Sequence, residues 1–361
     1  MSKIVVRPAW LVSNEAGEEL DQQLFPVLQA IHDAGKLTVA AANAGLSYRH
    51  AWNLIGRWSD FFGSPLVSLE RGRGTTLTPL GEKLLWAEQR INARLAPQLE
   101  SLASELNLEI SKLITSARTT LRIHASHGFA VAKLPELMRT HSQVQLDLRY
   151  LGAQESLASV GRGACEFGGF HVPEGKLGEL ALSQYAKWLL PDRQKLVHLV
   201  TRTQGLFVAK GNPKNIRSFA DLGRPGVTFI NRQRNSGTRL LIDQLLEQAG
   251  VDYQRLDGYQ TEEYTHAAIA AYVASGMADA GFGVEPPARQ FNLDFIPLAR
   301  ERYFLIGRDE SLALPEAREM IRLIRGPAFL ALIAGLAGYS APRAGQIETI
   351  AQAFPSIESR K

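Results

Sequence analysis

Apolar residues recur at helical spacing in the first part of the chain. The first predicted helix carries an apolar face made of Leu24, Val27, Leu28 and Ile31. Gly35 is the expected cap at its C-terminus. The next segment, "LTVAAANAGLSYRHAWNLIGRWSDFF", predicts two further helices joined by a Gly-Leu-Ser turn, with Thr38 and Ser47 as their expected N-caps. Two short helices joined in this way are typical of a helix-turn-helix motif.

The third predicted helix has an apolar side and a polar side. Its apolar side repeats at intervals of three and four residues, from Ala51 through Trp58 to Phe62. The side chains expected to contact DNA are Ser47, Tyr48, Arg49, His50, Asn53 and Arg57. Arginine and asparagine make bidentate contacts to guanine and adenine edges, which favours DNA recognition over an ordinary solvated helix face.

A predicted β-hairpin follows the third helix. In "LVSLERGRGTTLTPLGEKLL", two short strands flank a loop with Arg71 and Arg73, and Thr78-Pro79 is expected to start the next helix. Arginines at such a tip are placed to contact phosphates. The segments "LTVAAANAGLSYRHAWNLIGRW" and "GRGTTLTPLGEKLL" resemble the winged helix-turn-helix of LysR-type and molybdate-responsive regulators. The resemblance implies a DNA-binding domain over residues 1–80.

A helix with a continuous apolar stripe is predicted over residues 81–117. The stripe consists of Ile91, Leu95, Leu99, Leu102, Leu106, Ile110 and Leu113. This heptad-like spacing favours a linker helix that joins two copies of the chain, and packing on its own domain is the alternative. Pro97 is expected to kink or restart the helix. Both resembled families dimerise through equivalent helices, so the expected state is a dimer or a dimer of dimers.

Strand patterns alternate with helix patterns over residues 118–361. This alternation predicts an α/β domain with mainly parallel sheets, in which ligands bind at the carboxyl ends of strands. The segments "ASHG", "GGFHVP", "NRQRNSGTR", "SGMADAGFGVE" and "LAGYSAPRAG" resemble the two-lobed periplasmic-binding-protein-like fold. The full prediction is therefore an α/β chain with an N-terminal winged-helix domain, a linker helix and a two-lobed sensing domain.

The segment "NRQRNSGTRLL" predicts a helix start rich in hydrogen-bond donors and positive charge. Such a start binds anions, because its backbone N–H groups are unpaired and the helix dipole is positive there. The expected ligand-binding residues are Ser126, His127, His171, Arg234, Asn235, Ser236, Gly237, Thr238 and Arg239, with His171 just beyond the end of a strand. The alternative is a plain N-cap with solvated arginines. The resemblance implies molybdate or tungstate as the anion, and a small carboxylate such as formate needs similar donors.

Composition narrows the class of protein. The chain has 361 residues, a net charge of +4 and a hydrophobic content of 45%, as in ordinary globular proteins. The N-terminus has no signal-peptide pattern and no stretch is long enough to span a membrane, so a cytoplasmic location and no membrane partner are expected. The single Cys165 and the scattered histidines offer no metal cluster and no activated nucleophile. No metal, no cofactor and no enzymatic activity are expected.

The leading hypothesis from the sequence is a one-component transcriptional regulator. It would bind double-stranded DNA as a dimer or dimer of dimers and respond to a small anion connected with molybdenum enzyme or cofactor metabolism. The alternative is a molybdenum-cofactor-related protein that binds or delivers the anion without regulating DNA. The effector, the operator and the direction of regulation stay open.

Overall fold

The computed structural model describes residues 4–10, 12–13, 17, 19, 23–70, 74–114, 119–234 and 236–355. Contacts divide the chain into two units, Arg7–Leu95 and the combination of Met1–Val6 with Ala96–Lys361. Arg71, Arg73 and Asn235 lie outside the described residues.

The unit Arg7–Leu95 is a small helical domain with a β-hairpin. Its elements are α1 (Leu24–Ala34), α2 (Leu37–Asn43), α3 (Tyr48–Phe62), β1 (Val67–Glu70), β2 (Gly74–Leu77) and the beginning of α4 (Pro79–Ile114). The hairpin strands are antiparallel, with Val67 opposite Leu77. The predicted helix-turn-helix with a wing is therefore confirmed as an architecture.

Local capping explains where these helices begin and end. Gly35 adopts a left-handed conformation after α1, and the Ser47 hydroxyl accepts a hydrogen bond from the backbone N–H of His50. The Thr78 hydroxyl accepts from the backbone N–H of Gly81 at the start of α4. The expected Thr38 cap is wrong, because α2 begins at Leu37, so that Thr38 lies inside the helix, and no side chain caps its start. The apolar faces of α1 and α3 meet in a core centred on fully buried Trp58.

The second unit contains one curved sheet with helices around it. Its strands are β3 (Thr120–Ala125), β4 (Gln145–Tyr150), β5 (Phe167–Pro173), β6 (Gln194–Val208), β7 (Phe229–Arg232), β8 (Glu262–Glu263), β9 (Ala280–Val284), β10 (Asp294–Arg308), β11 (Tyr339–Ser340) and β12 (Ile347–Thr349). Its further helices are α5 (Leu134–His141), α6 (Ala153–Gly161), α7 (Lys176–Tyr185), α8 (Gly237–Gln248), α9 (His266–Ala274), α10 (Glu285–Gln290), α11 (Asp309–Ala313), α12 (Pro315–Arg325), α13 (Pro327–Ala334) and α14 (Ile350–Ala353).

Two long strands connect the two lobes of this unit. The strand order is β4-β3-β5-β10-β6-β9-β7-β8, and β6 and β10 are 15 residues each. One part of β10 pairs with β5, and the far end of β6 pairs with β9. We call β3, β4 and β5 with α5, α6 and α7 the first lobe, and β7, β8 and β9 with α8, α9 and α10 the second lobe. The predicted α/β two-lobed class is thus confirmed.

Strand direction corrects part of the sequence interpretation. Within each lobe the pairs β3–β4, β3–β5, β7–β8 and β7–β9 are parallel, as expected. The long strands β6 and β10 are antiparallel to each other and to their other neighbours. His171 lies inside β5 and not beyond its end. The reason is that β5 continues to Pro173 alongside β10, which extends the pairing past the glycine-rich segment.

The C-terminal half of α4 belongs to the second unit. The Ser104 and Ser101 hydroxyls accept hydrogen bonds from the backbone N–H groups of Leu148 and Tyr150 on edge strand β4, at 3.1 and 3.0 Å. The helix thereby covers an edge that would otherwise expose unpaired donors. Pro97 lies within α4, which continues through it, so the expected restart does not occur.

The other side of α4 carries exposed apolar residues. Leu102, Leu106, Ile110 and Leu113 are between 41% and 88% exposed. Leu99, in contrast, lines a cavity of the second unit together with Leu146 and Leu148. Leu99 is therefore not part of the exposed stripe, while the four residues that follow it along the stripe are. Among the described residues, no helix is both long and apolar enough to cross a membrane.

We expect Leu102→Glu combined with Leu106→Glu to convert a dimer into a folded monomer. Two buried carboxylates in an apolar seam would be unpaired and desolvated, which opposes association. Light scattering measures the mass, and far-UV circular dichroism checks that the chain is folded. The matched control is Leu180→Glu with Leu330→Glu, since both leucines are exposed elsewhere. A double variant on α4 that keeps the dimer mass and the wild-type stability would contradict the prediction.

Candidate functional site

The exposed face of α3 has the side chains expected for DNA recognition. Ser47, Tyr48, Arg49, His50, Asn53 and Arg57 are all exposed, while Ala51, Leu54, Ile55 and Trp58 are buried. The helix therefore presents two guanidinium groups and one amide on the side away from its own core. Their contact with DNA stays a prediction.

An aromatic pair on α3 was not expected from the sequence. Tyr48 and Trp52 are 51% and 42% exposed, and their rings stack with centroids 6.5 Å apart. The spacing of four residues places both rings on one helical face. Trp52 was missed because a tryptophan within an apolar-periodic helix is usually a core residue.

A buried ion pair lies at the centre of the second unit. Arg202 on β6 and Glu301 on β10 are direct partners in the antiparallel register, and Nε of Arg202 donates to Oε2 of Glu301 at 2.9 Å. The two residues are 1% and 0% exposed. The Gln204 amide donates to the same carboxylate oxygen at 2.8 Å. Two donors therefore hold one oxygen of the Glu301 carboxylate.

Ser126 and His171 of the first lobe lie close to each other, and Ser126 also contacts Tyr303 on β10. Oγ of Ser126 lies 3.3 Å from Nδ1 of His171 and 3.1 Å from the hydroxyl of Tyr303. The Tyr303 hydroxyl donates to the backbone carbonyl of Ser126 at 2.7 Å. Nε2 of His171 lies 3.8 Å from Oε1 of Glu301. The structure thus brings the expected residues Ser126 and His171 together beside the ion pair.

The second lobe contributes the beginning of α8. A Cβ atom at Gly237 would lie 2.6 Å from Nε2 of His171, so only glycine allows this close approach. Thr238 is 2% exposed, and its hydroxyl accepts from Gln204 at 3.4 Å. The Ser236 hydroxyl accepts from the backbone N–H of Arg239 and caps the helix. Gly237 and Thr238 therefore lie beside the same buried polar residues as His171, whereas the Ser236 hydroxyl caps the beginning of α8.

The arginines around α8 have different environments. Nη1 of Arg239 donates to Oε1 of Glu262 and its Nε to Oδ1 of Asp243, both at 3.0 Å. Arg234 has a 71% exposed side chain beside the same glutamate. The structure therefore places both guanidinium groups among acidic partners.

Arg232, at the end of β7, points a guanidinium into the protein. It is 7% exposed, and its Nη2 donates to the backbone carbonyl of Tyr264. Burial, together with repulsion by Arg202, lowers its pKa to about 9. Because two arginines share one buried region, an anion between them would be stabilised.

Three histidines of this region are held in the neutral form. Burial lowers the pKa of His127 and of His171 to about 4, and the charges of Arg202 and Arg232 act in the same direction. Burial together with both arginines also lowers the pKa of His266, at the start of α9. His127 is half-buried and stacks edge-on against Tyr150. Positive charge in this cluster therefore comes from arginine and not from histidine.

Several buried polar atoms in this cluster make no hydrogen bond with the described residues. The donors are Nη1 and Nη2 of Arg202 and Nη1 of Arg232, the acceptors are Oε1 of Gln204 and Oε1 of Glu301, and the ring nitrogens are Nε2 of His171 and Nδ1 of His266. Unsatisfied buried groups are costly and rarely concentrate without a function. A cavity of about 180 Å³ lies at the beginning of α8 and is lined by Tyr185, Ser236, Gly237 and Arg239 among others. We call these unsatisfied residues, with Ser126 and Thr238, the cleft cluster.

Sequence reasoning missed most of the charged members of the cleft cluster. Arg202, Gln204 and Glu301 lie in long strands whose alternating polar positions give no sign of which residues face each other. Asp279 lies outside the cleft cluster, and its carboxylate accepts hydrogen bonds from the backbone N–H and the hydroxyl of Thr228, which braces a strand end. Cys165 is buried, and burial raises its pKa to about 11, as expected for a core thiol.

Comparison with known families identifies the second unit. Residues 134–325 match the model of the PBP superfamily domain. These 192 residues, counted from 134 to 325, are more than half of the 361-residue chain and contain most of the cleft cluster.

Individual relatives share parts of the chain. YvgK of Bacillus subtilis (strain 168), which has no assigned function, is 33% identical over 55% of this chain, and the match spans 64% of YvgK's own length. The molybdenum transport protein ModE of Herbaspirillum seropedicae is 29% identical over 44% of this chain and 61% of its own. The LysR family transcriptional regulator CbnR has a solved structure that is 15% identical, covers 85% of this chain and all of its own, and has a TM-score of 0.39.

The neutral histidines predict a pH dependence of stability. The pKa of His171 is about 4 in the folded chain, below its ordinary value of 6.5. Between these values the unfolded state binds a proton that the folded state does not, so the free energy of unfolding falls as pH is lowered through this window. His171→Gln should reduce this loss between about pH 7 and pH 5 by about 2 kcal/mol.

Urea unfolding of the second unit, followed by circular dichroism at both pH values, measures this difference. The control is His141→Gln, because His141 is exposed. Equal pH dependence in the wild type and in His171→Gln would show that His171 does not stay neutral in the folded chain.

Proposed function

The chain belongs to the PBP superfamily, and we propose that it is a one-component transcriptional regulator in which this domain senses a small anion. The observation that carries the proposal is the cleft cluster, where Nη1 and Nη2 of Arg202 and Nη1 of Arg232 are buried without a hydrogen-bond partner among the described residues, close to the beginning of α8. Guanidinium groups and helix N-termini are the donors that recognise oxyanions and carboxylates.

The N-terminal unit supports the regulatory half of the proposal. It has a helix-turn-helix with a two-stranded wing, and α3 presents Arg49, Asn53 and Arg57 on an exposed face. Such a helix fits the major groove, where arginine and asparagine distinguish base pairs. Arg71 and Arg73 of the wing, from the sequence, would contact phosphates. The exposed stripe on α4 supports a homodimer, which would pair two DNA half-sites.

Two classes of anion remain candidates for the cleft cluster. The similarity to a molybdenum transport protein supports molybdate or tungstate, and with it a connection to molybdenum enzymes or their cofactor. A small carboxylate such as formate would use the same donors. In either case the anion would act by binding one arrangement of the two lobes more tightly than another, which shifts the population of a state with altered DNA affinity.

We expect Arg49→Ala and Asn53→Ala to weaken binding to a preferred DNA sequence, selected from random duplexes, by about ten- to a hundredfold. A good base contact contributes about 1–3 kcal/mol of discrimination. Arg73→Ala should weaken all duplexes alike and lower the salt slope by about one. Fluorescence anisotropy measures each affinity, and calorimetry checks that anion binding is unchanged.

Arg255→Ala is the matched control, because it removes one exposed positive charge from the second unit. If the wild type binds no duplex, the regulatory function fails, and a protein that only binds or delivers the anion becomes the better description.

We expect Thr238→Val to weaken anion binding by about ten- to a hundredfold, since a hydrogen bond to a charged ligand contributes about 1.5–3 kcal/mol. Valine keeps the shape of threonine and removes the hydroxyl. Ser236→Ala should have a smaller effect, because its hydroxyl already caps α8. Calorimetry on the full chain with molybdate, tungstate and formate measures these affinities.

Ser183→Ala is the matched control for loss of a hydroxyl, since Ser183 is exposed on α7. Arg239→Gln should lower stability more than anion affinity, because its guanidinium is engaged by Asp243 and Glu262. Wild-type affinity in Thr238→Val would remove the beginning of α8 from the binding site.

A further inference from the structure

The acceptors of the cleft cluster restrict the chemistry of its ligand. Glu301 is 0% exposed, and its Oε2 already accepts from Arg202 and Gln204. Its other oxygen, Oε1, makes no hydrogen bond with the described residues, and Nε2 of His171 lies 3.8 Å away. A buried carboxylate oxygen needs a donor, and the described side chains do not supply one at hydrogen-bond distance.

Gln204 provides a second acceptor with a fixed direction. Its Nε2 must face Glu301, because only the amide nitrogen can donate to a carboxylate. Its Oε1 is therefore turned away from Glu301, and it too makes no hydrogen bond with the described residues, at 0% exposure. The cleft cluster thus combines unsatisfied acceptors with the unsatisfied donors of Arg202 and Arg232.

The charge of Glu301 adds to this restriction. Burial alone would raise its pKa, but the interactions with His171 and Arg202 hold the pKa below its ordinary value, so the group is a carboxylate at neutral pH. The Arg202 charge is matched by Glu301 within the ion pair. A ligand with two negative charges and only acceptor atoms would leave Oε1 of Glu301 unsatisfied and would be repelled by it.

Building on the proposed anion-sensing function, we propose that the cleft cluster selects small anions that carry their own hydroxyl or acid proton. The anionic oxygens would accept hydrogen bonds from Arg202 and Arg232, and the O–H group would donate to Oε1 of Glu301. Protonated oxyanions and small hydroxycarboxylates share this chemistry. Fully deprotonated oxyanions such as sulfate and molybdate, and simple carboxylates such as formate and acetate, lack this proton and would bind the same guanidinium groups more weakly.

Two matched pairs of anions test the proposal by calorimetry on the full wild-type chain near neutral pH. Phosphate retains a proton where sulfate does not, and glycolate carries a hydroxyl where acetate does not. We expect the first member of at least one pair to bind about tenfold or more tightly than the second, as one hydrogen bond to a charged group implies. The pair that discriminates identifies the source, an oxyanion or a hydroxycarboxylate.

Glu301→Gln tests the residue itself. The variant removes the negative charge and supplies an N–H donor, so sulfate or acetate should bind more tightly and the gap within the discriminating pair should fall below about threefold. Glu262→Gln is the matched control, since Glu262 is 22% exposed and pairs with Arg234 and Arg239 outside the cleft cluster. Thermal melting checks that both variants fold, and the wild-type pairs decide alone if Glu301→Gln does not.

The outcomes separate this proposal from the proposed function. If anions bind but neither pair discriminates, or if Glu301→Gln leaves the discrimination unchanged, this selectivity is wrong and anion sensing stands. If none of the four anions binds, and molybdate, tungstate and formate also fail, both proposals fall.

Discussion

The ion pair between Arg202 and Glu301 is the constraint on which the rest of the second unit depends. It joins the two strands that run through both lobes, at positions that are direct partners in the register. Taking two charges out of water is costly unless their remaining hydrogen-bonding capacity is also used. The Gln204 amide supplies one of these hydrogen bonds. The polar atoms that remain without a hydrogen-bond partner define the place where a ligand would bind.

The same strands determine which side chains come together. Alternation along a strand puts Gln204 on the face of Arg202, and Tyr303 on the face of Glu301. Tyr303 reaches the backbone of Ser126 in the first lobe, while Gln204 reaches Thr238 in the second. Each set of contacts stays with its own lobe, because Tyr303 pairs with β5 and Gln204 pairs with β9. The C-terminal half of α4 is bonded to edge strand β4 of the first lobe, so it would follow that lobe.

Local signals made the N-terminal unit predictable, and long-range register made the cleft cluster unpredictable. The Gly35 and Ser47 caps act within a few residues of their own positions, and the sequence shows them directly. Ser126, His171, Gly237 and Thr238 could be named because each stands near a glycine-rich strand end or a helix start. Arg202 and Glu301 are 99 positions apart, and one sequence does not show which positions of two long strands pair. The prediction that β5 ends before His171 was wrong for the same reason.

The segment "NRQRNSGTR" shows how geometry distinguishes arginines that look equivalent in sequence. Arg239 is held by Asp243 and Glu262, and Arg234 lies on the surface beside that glutamate, so acidic neighbours already balance both charges. Arg232 precedes them in the strand and turns inward, where Nη1 lacks a hydrogen bond among the described residues. The unsatisfied guanidinium N–H groups available to an anion therefore come from strands, through Arg202 and Arg232, while α8 contributes neutral donors. Because the nearby histidines stay uncharged down to about pH 4, an anion would not need a histidine proton to bind over the physiological range.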